Sequence, residues 1–472
     1  MKKLVSCFAA ASLLAWGGAA MADLCTIEAT PAATLLLPHF EVPLSGNTRD
    51  VLFSINNASR NSVLAHVTVW SDMSVEAIDF NLYLTGFDVQ TISLGQLIRS
   101  GIVPQTSTTL SPKGAWSGAH PTLPAACNVL LPPGNVPANN LAHMQALLTG
   151  NPSSIYLGNC GGFPFGDNVA RGYVTVDHMV NCTTLSPCDV GYFSDASFIP
   201  GTGAAGYANV LWGEWYAINY AQNFAQGDTL VHIEAAQPND EVGIGLISDG
   251  TFWNRCSNDW FFSGLAVTPH PDLRESLGTT YATQFYGQFG APTTFVVWKD
   301  SQFPEPTNDN FPPGFDCDLG PVWFPLPESQ IVFFNEREDP VIPDPCRISP
   351  CPPQFLVQFP IEAQAVTVAQ LQVPPSTHPS GWMYANLNQD FGLSAVVLAQ
   401  AWVQSVHSAL GLFSAGLNAI QLDNFCDQSS IILSATAAAP ECAINWFNGT
   451  LYNCSLSGPI SRPGNSGFFP GN

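Results

Sequence analysis

Hydrophobic and polar positions alternate in short runs over residues 34–98. Thr34 to Val42 is mostly apolar and is followed by a Pro43-Leu44-Ser45-Gly46-Asn47 turn. Val51 to Asn56 forms a second run, ended by Asn57-Ala58-Ser59-Arg60-Asn61. From Val63 to Trp70 the chain divides cleanly: Val63, Ala65, Val67 and Val69 fall on one face, and Leu64, His66, Thr68 and Trp70 on the other. Ile78, Phe80, Leu82 and Leu84 alternate again, and Val89 to Leu94 makes a fifth segment. A period of two with Gly/Asn/Ser/Asp turns between runs predicts antiparallel strands. The pattern lapses over residues 99–172, where Pro, Gly, Ser and Asn crowd Pro104 to Asn140. One short helix is predicted there at Leu141 to Thr149, capped by Asn139 or Asn140 and stopped by Gly150. Strands return at Gly172–Met179, Asn209–Asn219 and Thr229–Ala235, separated by long polar connections. Further strands are predicted at Thr293–Trp298, Gln330–Phe334, Phe355–Phe359, Ala363–Leu371, Trp382–Leu387, Val396–Val406 and Leu412–Leu422. Residues 396–407 contain enough alanine for a helix, but their Val and Trp favour a strand.

The fold class this predicts is mainly β: two immunoglobulin-like antiparallel β-sandwich regions flanking a loop-rich, disulfide-stapled middle region with a short helix. The expected divisions are a signal peptide at 1–22, an N-terminal β-sandwich at 23–112 and a middle region at 113–290. A C-terminal β-sandwich at 291–425 and a Cys/Pro/Gly-rich tail at 426–472 follow. The succession of strand, Asn56-Asn57-Ala58-Ser59 turn and strand is similar to immunoglobulin-like modules of bacterial surface proteins. That likeness is one of pattern and carries no functional motif. Val69-Trp70-Ser71-Asp72 is echoed by Val297-Trp298-Lys299-Asp300, as the same edge of two related sandwiches would be.

The N-terminus adds an address. Lys2 and Lys3 precede an apolar run from Leu4 to Trp16, and Ala20-Met21-Ala22 fits a small-x-small cleavage site. This is a signal peptide of bacterial type, and it predicts export to the periplasm, cell surface or medium. A lipid-anchored alternative has weak support, because Asp23-Leu24 precedes Cys25. No later stretch reaches 18 consecutive apolar residues, so no transmembrane helix is expected. Twelve cysteines follow the signal, an even number in an exported chain, which implies disulfides. None are spaced C-x-x-C. The close pairs Cys182/Cys188 and Cys346/Cys351 are the expected small stapled loops.

Charge narrows the partners. The 472 residues include 13 Lys+Arg and 36 Asp+Glu, a formal charge of −23; losing the signal makes it −25. Nucleic acid is excluded as a partner, since no surplus of cations exists to displace counterions from phosphate. The remaining expected partners are a glycan or another surface protein.

Candidate chemistry is sparse. G-x-S-x-G, S-x-x-K and H-E-x-x-H are absent, and Gly464-Asn465-Ser466-Gly467 is a serine in a tail without a supporting elbow. The nine histidines are never within five residues of one another; His66, His178, His232 and His407 lie in predicted strands, where ordinary sheet histidines are the simpler explanation. Asp309, Asp316 and Asp318 put hard oxygen ligands on a Pro/Gly loop suited to calcium, the one cofactor suggested, and Glu336, Glu338, Asp339 and Asp344 form a weaker second cluster. Trp212, Glu214 and Trp215, with Trp253, Asp259 and Trp260, place carboxylates among rings that stack on sugars. Core and rim packing of a β-sandwich would explain the same residues. The expected function is an exported, non-catalytic structural or adhesive surface protein. The alternatives are carbohydrate binding through the Trp212–Trp215 segment and glycoside hydrolysis with Glu214 and Asp259 as the carboxylate pair.

Overall fold

The computed structural model describes residues 30–105, 127, 129–132, 134–187, 189, 191–193, 203–235, 274–275, 277–286, 293–302, 324–325, 328, 330–341, 359–387, 401–409 and 413–422. They are mainly β, in several antiparallel sheets. In chain order the elements begin with β1 (Thr34–Pro43), β2 (Arg49–Asn57), β3 (Val63–Ser71), β4 (Glu76–Leu84) and β5 (Val89–Ser93). Next come α1 (Leu94–Ser100), α2 (Ala138–Leu148), β6 (Val169–Met179), β7 (Leu211–Asn219), β8 (Phe224–Thr229) and β9 (Val231–Ile233). Then follow β10 (Thr280–Tyr286), β11 (Thr294–Lys299), β12 (Ser301–Gln302), β13 (Phe324–Pro325), β14 (Gln330–Asn335), β15 (Ala363–Thr367), β16 (Ser380–Asn386), β17 (Ala401–Ala409), β18 (Phe413–Asn418) and β19 (Ile420–Gln421).

The pairing plan occurs twice. In the first unit β2 lies between β5 and β7, and β3 lies between β4 and β6. In the second, β10 lies between β16 and β19, and β11 lies between β15 and β17. Each set runs in the same chain order, with extra strands added at the edges: β1, β8 and β9 in the first, β14 and β18 in the second. The sheets draw strands from both sides of residues 112 and 290, since β6 pairs with β1 and β3, and β10 pairs with β16.

Each unit closes on its own core. Val51, Phe53 and Ile55 of β2 and Trp215 of β7 meet Leu35, Val67, Val69, Phe80, Leu82 and Val174 from the facing sheet. In the second unit Tyr281, Phe285, Phe333 and Met383 meet Phe295, Val297 and Val403. A third cluster covers the other face of β3 and β6. It contains Leu64, Trp70, Tyr173 and Met179 together with Cys127, Cys182, Tyr192 and Phe193, and reaches Trp298, Ala363 and Trp402 of the second unit. All nine residues of β3 are therefore buried. Its alternation separates two interiors, rather than an interior from solvent.

Across that second interior runs a row of polar residues in register: Asn81, His66, Asp177 and Thr34. Asp177 accepts hydrogen bonds from the hydroxyls of Thr34 and, at 2.6 Å, Tyr192. Arg274 Nε lies 3.4 Å from Asp177 Oδ1, and Arg274 donates to Thr34 Oγ1 and, at 3.1 Å, to the Gly206 carbonyl. The guanidinium also faces the ring of Phe193, 5.0 Å from its centroid. A buried charge persists only when paired and hydrogen-bonded, and here both conditions hold.

Three expectations are corrected. Cys182 is bonded to Cys127, so the Cys182–Cys188 bridge does not form. The cause is the sheet beneath: Asn81 on β4 holds both the N–H and the carbonyl of Thr183, fixing the neighbouring Cys182 over this face. The Cα atoms of Cys127 and Cys182 are 5.2 Å apart, within disulfide range. Cys160 is also disulfide-bonded, and Cys346 and Cys351 lie outside the described residues. The predicted helix begins earlier, at Ala138, with Pro137 at its N-cap and no side-chain cap. The fifth run ends at Ser93, whose Oγ caps α1 through the Gln96 N–H; Gly101, at φ 68°, closes that helix in the left-handed region.

Candidate functional site

Strand parity sorts the Trp212–Trp215 segment. On β7, Leu211, Gly213, Trp215 and Ala217 face inward, and Trp212, Glu214, Tyr216 and Ile218 face outward. Trp215 is 5% exposed and belongs to the core, opposite Phe53. Its ring packs in the interior of the sandwich and is not part of the outward face. Trp212 is half-buried at the end of the strand, its ring 5.8 Å from that of His232. The Gly213 N–H donates to His232 Nε2 at 3.2 Å, and burial lowers the His232 pKa to about 4, so this imidazole is neutral.

The outward face of β5–β2–β7 carries an open groove of about 310 Å³. It is lined by Leu52, Ser54, Asn56, Val89, Thr91, Glu214 and Tyr216, with Phe53 beneath. Register explains the grouping. Ser54 sits between Thr91 and Glu214, Asn56 between Val89 and Trp212, and Leu52 between Ser93 and Tyr216. Tyr216 is 46% exposed. The Glu214 charge beside it, and a hydrogen bond between their side chains, raise the Tyr216 pKa above its ordinary value. Ring, carboxylate, amide and hydroxyls thus share one surface. The other carboxylate on these strands, Asp50, is committed elsewhere. It accepts from Ser93 Oγ and the Gly95 N–H at the start of α1, and pairs with Arg99 at 3.6 Å.

The remaining predicted residues are not assembled by the described structure. Trp253, Asp259 and Trp260 lie outside the described residues, as do Asp309, Asp316, Asp318 and Asp344. Glu336, Glu338 and Asp339 are exposed in the turn after β14, where Asn335 Oδ1 accepts the N–H groups of Arg337 and Asp339. Among the described residues no group of three or more His, Cys, Asp or Glu is arranged to hold a metal.

His143 Nδ1 lies 2.5 Å from Ser153 Oγ, but Ser153 is 2% exposed and its own N–H is held by the Asn159 carbonyl. His407 bridges the hydroxyls of Thr293 and Ser405 at 2.9 and 3.0 Å, which occupies both ring nitrogens. Among the described residues, neither pair has a carboxylate hydrogen-bonded to the imidazole. Tyr216, Asn56 and Thr91 line the groove but do not stand out in the sequence. Parity on β7 was the available signal, because residues 212, 214 and 216 share a face and residue 215 does not.

Comparison with protein-family models, curated proteins and solved structures gave no match.

Proposed function

We propose that this is an exported, non-catalytic adhesive protein that binds neutral glycan through the β5–β2–β7 groove. The observation that carries the reading is the pairing of an exposed ring, Tyr216, with Glu214, Asn56 and Thr91 on one outward sheet face. An aromatic face takes the C–H side of a sugar ring, and adjacent oxygens and amides take its hydroxyls. The chain's charge of −23 disfavours acidic polysaccharides, which leaves neutral ones. Hydrolysis has less support. It requires two carboxylates flanking the scissile bond, and Glu214 is the one carboxylate among the described lining residues.

Export is part of the proposal and rests on the basic and apolar N-terminal segment and the Ala20-Met21-Ala22 site. Disulfides at Cys127–Cys182 and at Cys160 suit an oxidising compartment. We read each pairing unit as an immunoglobulin-like sandwich, supported by two antiparallel sheets sharing a core in each. Calcium on the Asp309–Asp318 loop remains part of the proposal, checked by whether EDTA lowers the melting temperature.

The test is retention on insoluble neutral polysaccharides (cellulose, chitin, mannan) with two groove variants. Tyr216→Ala is expected to weaken retention about tenfold, the loss of one stacking contact, and Glu214→Gln by less. No retention of the wild-type chain on any of them rejects the reading.

A further inference from the structure

The second unit contains a sheet equivalent to the one bearing the groove, and its outward face has a composition of its own. On β10, β14 and β16 the odd-numbered residues face the core, as Tyr281, Phe285, Phe333, Met383 and Ala385 show. The even-numbered residues face away from it. In register across the sheet these are Phe334, Trp382 and Gln284 in one row, and Val332, Tyr384 and Ala282 in the next. Phe334 and Trp382 stack at 4.3 Å with their planes 16° apart, and both are half-buried. Tyr286 is 39% exposed and donates its hydroxyl to Gln284 Oε1 at 3.3 Å.

We infer that this face is a second site for neutral oligosaccharide, so that the chain is bivalent; the inference rests on the glycan reading of the β5–β2–β7 groove. Two observations choose the ligand. First, none of the outward positions of β10, β14, β16 and β19 carries a charge: they are Thr, Ala, Gln, Tyr, Val, Phe, Ser, Trp, Asn and Ile. A charged ligand finds no counter-charge on them, and burying it there would cost desolvation without return. Second, stacked rings lie beside an amide, Gln284, which offers the contacts a pyranose needs: an apolar face and hydroxyl partners. The equivalent strand positions of the first unit place Tyr216 and Glu214 on β7 and Ser54 and Asn56 on β2. The two faces therefore present different chemistry on the same pairing plan. Linked sites raise retention on a polymer well beyond that of either alone.

The test is calorimetric titration of the full chain with cellohexaose and mannohexaose, with sedimentation velocity on the same samples. The expected result is two sites in the wild type, and one in each of Trp382→Ala, Gln284→Lys and Tyr216→Ala. Gln284→Lys alters the face without removing a packed ring, so it guards against a folding defect in Trp382→Ala. One site that disappears in Tyr216→Ala and is unmoved by Trp382→Ala and Gln284→Lys overturns the inference and leaves the groove reading standing. One site that disappears in Trp382→Ala and Gln284→Lys but survives Tyr216→Ala supports this face and overturns the groove. Absence of binding overturns both. A dimer that Gln284→Lys converts to monomer, with sugar uptake unchanged, assigns the face to a second copy of the chain and overturns the inference.

Discussion

The two units pair their strands alike and bury them differently. At corresponding positions each has a cross-strand aromatic pair, Trp70 with Tyr173 and Trp298 with Trp402. Tyr173 touches both tryptophans, stacked on Trp70 and edge-on to Trp298, with centroids 5.9 Å apart in each case. The backbone joins there too, since the Asp72 carbonyl accepts the N–H groups of Glu362 and Ala363. Beyond this junction the units diverge. The first lays the polar row of Asn81, His66, Asp177 and Thr34 across its middle sheet and neutralises it with Arg274. Among its described residues the second buries one cation, Lys299, near the junction; it donates to the Phe359 carbonyl and lies 3.5 Å from Glu328. A pairing plan is set by alternation and turns. What covers each face is set by the insertions between strands, and these differ.

The sharpest way to break the comparison is at its two buried cations. Arg274→Ala removes the cation paired with the Asp177 carboxylate, which is fully buried and keeps the Thr34 and Tyr192 hydroxyls. A loss of about 3–5 kcal/mol is expected. Lys299→Met removes the cation that faces two carboxylates, Glu328 and the fully buried Glu362, and is expected to cost a similar amount, about 3–5 kcal/mol. Glu328 then retains the Phe359 N–H as a donor. Urea midpoints of the two variants measure the difference. A much larger loss in one variant would mean that the two units bury charge with different penalties.

A smaller effect tests the cover over the first unit. The Cys127–Cys182 bridge spans 55 residues and ties two covering segments to one sheet face. Replacing both cysteines by alanine is expected to cost about 2–4 kcal/mol. Non-reducing peptide mapping should recover the Cys127 peptide linked to that of Cys182. Linkage of Cys182 to Cys188 would refute the arrangement.

These contrasts also show what a sequence can and cannot reveal. Most strands were legible because apolar side chains recur every second residue, as in Val63-Val69 and Ile78-Leu84. β10 was not, because its outward residues Thr280, Ala282, Gln284 and Tyr286 blur the contrast with the inward Tyr281, Thr283 and Phe285. α1 is only about two turns long, and its signals, Ser93 and Gly101, are also ordinary turn residues. The disulfide depends on the register of Asn81 beneath Thr183, which spacing between cysteines does not encode. For the site, Glu214 stood out as a carboxylate between rings. The ring that shares its face is Tyr216, and only strand parity, not proximity in sequence, separates it from Trp215.

The smallest net effect is on pH dependence, because the first unit holds groups that act in opposite directions. Burial raises the Asp72 pKa from 3.8 to about 7, against the Phe163 N–H that favours its charge. Burial raises Glu76 as well, helped by Asp79. A carboxyl whose folded pKa lies above its unfolded one contributes stability that is full below the unfolded value and is lost as pH rises through the folded value. For Asp72 the loss therefore accrues between about 4 and 7. His39, lowered to about 3, and His178 and His232, lowered to about 4, do the reverse, again chiefly through burial. Their stability is present above 6.5 and is lost as pH falls through 4 to 3. Between pH 4 and 6.5 the two sets oppose each other, and above 6.5 the carboxyls act alone. Asp72→Asn isolates one side. The amide keeps an oxygen for the Phe163 N–H, which Asp72 accepts at 2.9 Å, and cannot ionise. Its melting temperature should match the wild type at pH 4 and exceed it at pH 8. A difference that stays constant from pH 4 to 8 would show that Asp72 does not carry this dependence, and would move it to Glu76.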